Sequence, residues 1–257
     1  MGFFGLFKPN IDDLTEKKDV QGLINASKTM YSVDQTARII DGLKKIGNPS
    51  VLPLIESLKS DDYHISGMSI QALGETGDKR AINPLLSFLN KNKLSHYDVE
   101  QVINSLQKLG WTPSNKTELI YYYIATENFI ELEKFGNKAA GPVSKIISKD
   151  FLINFIALLG KIGDASCVDS ISIPLFYFSQ YHEKKKFFIT LNSMINIGGR
   201  DALPYLYKAL KIIDDATEKL IINERYAIAK QSYVIPLAEL REMRASVNEQ
   251  IMSLNKR

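Results

Sequence analysis

The stretch Ala72-Leu73-Gly74-Glu75-Thr76-Gly77-Asp78-Lys79-Arg80-Ala81-Ile82-Asn83-Pro84-Leu85-Leu86, closing on Leu89, decides how the chain is read. It contains an apolar helix end, a glycine, an aspartate, a short spacer and an apolar pair around Pro-Leu. An earlier copy runs Leu43-Lys44-Lys45-Ile46-Gly47-Asn48-Pro49-Ser50-Val51-Leu52-Pro53-Leu54-Ile55 and closes on Leu58. Fainter copies begin at Phe135-Gly136-Asn137, Ile162-Gly163-Asp164 and Ile197-Gly198-Gly199, and Leu109-Gly110-Trp111-Thr112-Pro113 keeps only the helix end and the glycine. The anchoring glycines Gly47, Gly77, Gly110, Gly136, Gly163 and Gly198 are spaced by 26 to 35 residues, the size of a two-helix repeat.

A glycine just past a helix takes up a left-handed backbone without a Cβ penalty. Asn48, Asp78 and Asp164 then offer side-chain oxygens to the free N–H groups of the helix that follows. Ile65, Met68, Ile70, Ala72 and Leu73 supply one apolar face, and Ala81, Ile82, Leu85, Leu86 and Leu89 stripe its partner. Neither helix buries its stripe alone, so stacked pairs must share an elongated core. Leu54, Leu58, Leu73, Leu85, Leu89 and Leu109 are expected in that core. The run Leu119-Ile120-Tyr121-Tyr122-Tyr123-Ile124 is the one strand-like segment, and its flanks, Thr117-Glu118 and Ala125-Thr126-Glu127, favour a helix.

The whole chain has 257 residues, 45% apolar and 24% charged, with a net charge of +3. That composition excludes collagen, a disulfide scaffold and wholesale disorder. The lone Cys167 makes no intrachain disulfide and sits among apolar neighbours, which reads as a small core residue in a reducing compartment. No apolar run reaches the ~18 residues of a spanning helix. The apolar start, Gly2-Phe3-Phe4-Gly5-Leu6-Phe7, lacks a basic flank for a secretion signal, and Leu6 stands where a myristoylation signal carries Ser or Thr. The expected location is cytoplasmic.

These residues resemble the HEAT-like repeat family, in particular the short repeats called phycobilisome-lyase-type. Ala72 to Leu85 and the Gly47-to-Leu58 copy carry the likeness most clearly. Leu109-Gly110-Trp111-Thr112-Pro113 with Tyr122-Tyr123, and Phe7-Lys8-Pro9-Asn10-Ile11 with Asp19-Val20-Gln21-Gly22-Leu23-Ile24, extend it over about Asn10 to Leu210. The resemblance implies an all-α, right-handed, armadillo-like α-solenoid of about six antiparallel hairpins, with the second helix of each hairpin lining a concave face that binds partners. The expected organisation is an apolar segment over 1–10, the solenoid over 11–213 and a C-terminal helical cap over 214–257. Leu237, Leu240, Met243, Val247, Ile251 and Leu254 form a helical stripe that serves either as this cap or as a homodimer seam. Phe3, Phe4, Leu6 and Phe7 fold over the first repeat or anchor a partner or membrane surface.

Signals for chemistry are sparse. His64, His96 and His182 share no metal-ligand spacing, and His182-Glu183 is a single pair where HEAT-type hydroxylases repeat it. Trp111 reads as a packing residue rather than a base-stacking platform. Residues 1–128 hold 14 basic and 15 acidic side chains, and residues 129–257 hold 18 and 14. Lys184-Lys185-Lys186 is the one dense basic run, short of a nucleic-acid groove. No constellation marks a bilin site, and Gly198-Gly199-Arg200 lacks the context of a phosphate loop. No catalytic, cofactor-binding or metal-ligating residue is nominated, and no cofactor is expected. The expected function is a non-catalytic protein-interaction scaffold, with a phycobilin lyase-like enzyme and a nucleic-acid-binding protein as alternatives. Tyr121, Tyr122, Tyr123, Phe176, Tyr177 and Phe178 are divided between inter-repeat packing and interface anchors.

Overall fold

The computed structural model describes residues 9–29, 32–90, 94–181, 183–224 and 237–256; the apolar residues 1–8 and His182 lie outside them. All regular structure among the described residues is helical. The chain divides into two compact units, Met1–Thr126 and Glu127–Arg257.

In the first unit α1 (Ile11–Glu16) pairs with α2 (Val20–Ala26), α3 (Val33–Ile46) with α4 (Asn48–Ser57), α5 (Tyr63–Thr76) with α6 (Ile82–Phe88), and α7 (His96–Lys108) with α8 (Lys116–Ala125). The first helices stack in the order α1, α3, α5, α7, and α2 packs on α4 in a second row. In the second unit α9 (Phe129–Lys134) pairs with α10 (Asn137–Asp150), α11 (Ile153–Ile162) with α12 (Val168–Tyr181), and α13 (Lys184–Gly198) with α14 (Leu203–Glu224). A last helix, α15 (Leu237–Lys256), packs on α13 and α14. It continues the first-helix row, and α14 runs unbroken across residue 213.

Five of the six glycines of the sequence repeat turn one hairpin each, and Gly199, next to the sixth, turns another. The seventh, α1/α2, turns on Lys18, a non-glycine residue at φ 54°. Every turn inside a hairpin thus holds one positive-φ residue, in two geometries. Gly77 is left-handed (φ 69°, ψ 6°), and the Asp78 side chain then accepts from the Arg80 N–H, as Asp164 does from Ser166 after Gly163. Gly47 instead lies at φ 73°, ψ −133°, a region closed to side-chain-bearing residues. That geometry starts α4 at once, so Asn48 is its first residue and not the expected cap. The Asn48 Oδ1 accepts from Arg80 Nη2 at 2.6 Å. A second correction concerns Gly198, whose φ is −94°. Gly199 makes that turn (φ 49°), whereas Gly198 lets α13 approach Val168, whose Cγ2 lies 2.7 Å from where a Cβ would sit.

Two further glycines set how closely first helices stack. A Cβ on Gly74 of α5 would lie 2.8 Å from the Cα and Cβ of Ser105 on α7. A Cβ on Gly160 of α11 would lie 2.8 Å from the Cα and Cβ of Ser193 on α13. Small residues on both sides let these backbones meet. Leu54, Leu58, Leu73, Leu85, Leu89 and Leu109 are all buried, as expected. Leu240, Met243, Val247, Ile251 and Leu254 of α15 are also buried, inside their own unit. These five side chains are covered by α13 and α14.

Candidate functional site: a groove across three first helices

The first helices of the first unit begin on side-chain caps. Ser32 accepts from Gln35 N–H, Asp62 from His64 N–H, and Ser95 from Asp98 N–H, with the Asp98 carboxylate accepting from Ser95 N–H in return. These caps fix where each helix starts, and therefore which side chain stands at its mouth. Val33, Tyr63 and Tyr97 stand there, 89%, 70% and 57% exposed. Along the row they border a groove of about 500 Å³ lined by α3, α5 and α7. Its apolar wall includes Ile40 and Met68, and its polar groups include Thr36, Asp41, Gln71 and Lys108. Gly67 lies in this wall, and a Cβ there would meet nothing within 4 Å. A mid-helix glycine costs about 1 kcal/mol relative to alanine, and here no packing contact requires it. Its effect is to leave the groove open.

The far end of the groove is polar. Glu75 bridges two neighbouring helices, with its Oε2 2.8 Å from Lys44 Nζ on α3 and its Oε1 2.6 Å from Lys108 Nζ on α7. Hydrogen bonds from Lys108 and then Lys44 hold the Glu75 carboxyl below its ordinary range. The Lys44 ammonium is raised in turn by Glu75. This ladder joins the C-terminal ends of three stacked helices, where cations also face the helix dipoles favourably.

The sequence candidates fall elsewhere or take packing roles. His64 lines the groove with its ring 3.8 Å from that of Tyr63. His96 donates from Nε2 to the Ile124 carbonyl at 3.0 Å, tying α7 to α8. Trp111 is half-buried and hydrogen-bonds to Glu118. Burial works against the ionised Glu118 carboxyl, but donors from Ser114, Asn115 and Trp111 outweigh it and hold it low. Tyr121 is buried and donates to the Leu89 carbonyl at 2.8 Å. Phe178 is buried, while Tyr177 is at the surface. In the lysine run, Lys184 pairs with Glu242 and Lys186 with Glu183. Cys167 is buried against Ser144 Oγ at 3.1 Å, and burial pushes its thiol up, away from nucleophilic use.

Among the described residues no group of three or more His, Cys, Asp or Glu is placed to hold a metal ion. Among them, too, no helix is long and apolar enough to cross a membrane. The resemblance puts binding on second helices, whereas this groove lies on first helices. Sequence reading missed it because each residue looks ordinary alone. The signal was register: Val33 and Tyr63 each stand 14 residues before the turn glycine of their hairpin.

Two rows of antiparallel hairpins, glycine-turned and glycine-packed, define an α-helical repeat protein. Residues 20–113 match the family model of HEAT repeats, so that part of the chain is similar to HEAT repeats. No curated protein matches the chain.

Proposed function

We propose that the protein is a non-catalytic interaction scaffold whose first unit binds an extended segment of another protein across α3, α5 and α7. The observation that carries this reading is the row of exposed Val33, Tyr63 and Tyr97 over a groove kept open by Gly67. Exposed aromatic residues beside a recess are the usual anchors of protein partners. Stacked helices repeat at about 8–10 Å, close to the ~9 Å rise of one three-residue turn of a polyproline-II segment, so every third side chain of such a segment meets a new helix. Thr36, Asp41 and Gln71 supply side-chain donors and acceptors for the peptide backbone. We also propose that α15 closes the second unit as its cap, since its apolar stripe is buried and its other face carries Arg241, Glu242, Arg244 and Glu249.

The test is a photocrosslinking residue at position 63 in the native cell, with a Gly67→Trp counterpart. Protein adducts lost on filling the groove, with the melting temperature unchanged, support the reading. A small-molecule or nucleic-acid adduct, or protein adducts indifferent to Gly67→Trp, would sink it.

A further inference from the structure

Ahead of Pro9 the chain carries Phe3, Phe4, Leu6 and Phe7, with Lys8 the only charged side chain among them. Such a cluster is costly to leave in water. What lies within its reach is set by where the chain enters the fold. Asn10 accepts from the Asp12 and Asp13 N–H groups and so starts α1. Helix α1 packs beside α3, and two contacts fix the register. Asp12 Oδ2 lies 2.8 Å from Arg38 Nη2, and Thr15 Oγ1 occupies the space a Cβ on Gly42 would need. The two helices therefore run parallel. The Thr15-to-Gly42 offset puts Asn10 level with Ala37, which lines the groove. In the row only α3 separates α1 from α5. Val33 and Ala37 are exposed one turn apart on α3, and beyond them Gly67 keeps the adjoining wall of α5 open.

We propose that residues 3–7 of this same chain occupy the α3/α5 half of the groove, as an internal competitor of the partner segment. Phe4, Phe7 and Asn10 are spaced by three residues, which is the interval that advances an extended segment by one stacked helix. With Asn10 fixed on α1, Phe7 falls on Val33 and Ala37 of α3, and Phe4 falls on Tyr63 and the gap at Gly67 of α5. Pro9 favours this course, because it disfavours helix at Lys8. The charges agree. Lys8 falls beside α3, whose exposed face carries Asp34 and Asp41, while Arg38 on that helix is held by Asp12. The α3 lysines Lys44 and Lys45 lie at the far end, where Lys44 is bound to Glu75. Tyr97 on α7 stays uncovered. A tether this short holds the segment at an effective concentration in the mM range. A partner then binds with an affinity reduced by the fraction of chains whose groove is open. The competition rests on reading the groove as a peptide site; the occupancy by residues 3–7 does not.

The experiment places the photocrosslinking residue at position 63 of the full chain, irradiates the purified protein alone and maps adducts by peptide mass spectrometry. The expected adduct is intrachain, to residues 3–7, at a yield independent of protein concentration. Phe4→Ser with Phe7→Ser should lower that yield at least about fivefold, and Gly67→Trp should lower it too, with thermal melts unchanged. In cells, Phe4→Ser with Phe7→Ser should raise the yield of adducts to other proteins at least about threefold. Absence of the intrachain adduct, an adduct that joins two chains, or an adduct indifferent to both variants overturns the proposal. So does sedimentation of the parent chain with equimolar phosphatidylcholine and phosphatidylglycerol vesicles that is lost in Phe4→Ser with Phe7→Ser, since the segment is then a membrane anchor. Adducts in cells that ignore the serine variants overturn the competition and leave the peptide site standing. An intrachain adduct with no adduct to another protein in any form supports the occupancy and sinks the peptide site.

Discussion

The two units share a skeleton and differ in their surfaces. In both, a glycine of one first helix lies against a serine of the next, Gly74 on Ser105 and Gly160 on Ser193. In both, a left-handed glycine precedes an aspartate that caps a 3-10 turn, at Gly77-Asp78 and Gly163-Asp164. The charges at the helix ends do not follow. Lys44, Glu75 and Lys108 form a three-helix ladder in the first unit. At the matching distances from the turn glycines, the second unit has Glu133 and Lys161, 3.3 Å apart with the signs exchanged. Helices α3, α5 and α7 have side-chain caps, whereas α11 and α13 have none. Close backbone approach and turn geometry tolerate few residue types, while an exposed ion pair works in either polarity and is weak in both.

Four changes test how far this equivalence extends. Leu85→Ala in the first unit and Leu159→Ala in the second, each wholly buried, should each cost about 2–5 kcal/mol in denaturant melts. A loss under about 0.5 kcal/mol at either would show that its helix face is assigned wrongly. Gly74→Ala and Gly160→Ala should cost roughly 1–3 kcal/mol each, because the added methyl meets serine Cα as well as Cβ. Ser105→Gly should recover only part of the Gly74→Ala loss, and a neutral Gly160→Ala would break the parallel.

The turns should respond with opposite signs. Gly77→Ala places a Cβ on a left-handed residue and should destabilise by about 1–2 kcal/mol. Lys18→Gly relieves that same conformation and should be stabilising by up to about 1 kcal/mol, after the entropy glycine gains in the unfolded chain. The smallest effect belongs to Glu75→Gln, about 0.2–1 kcal/mol at neutral pH. The folded Glu75 carboxyl is held low, so its contribution is complete above the ordinary carboxylate range and fades as pH falls through the folded value. The stability gap between the parent and Glu75→Gln should therefore close on acidification. A gap that persists at about pH 2 would show that the loss is one of packing.

The hairpins were legible because their turns depend on glycine, and glycine is visible in a sequence. Six of the seven were marked this way, and Lys18 hid the other by adopting the same backbone without the residue that advertises it. Asn48 misled because a capping residue and a first helical residue look alike until the ψ of Gly47 is known. Gly198 and Gly199 are adjacent, and only geometry tells the turn from the packing contact. The groove was the least legible. It draws single residues from three helices, and that neighbourhood exists only after stacking. Tyr121 and Tyr177 sit in similar aromatic runs, yet one is a buried strut and the other an exposed ring.

The burial of Cys167 gives the protein a clock. It is the only thiol in the chain, and it is enclosed where α10 meets the start of α12. A thiol reagent in solution reaches it when that part of the second unit opens, so the rate of colour development counts openings of this region. Alkylation of the unaltered protein thus times local breathing without any engineered reporter. A cysteine placed on an exposed surface would be labelled first, leaving the native thiol as the slow internal reference.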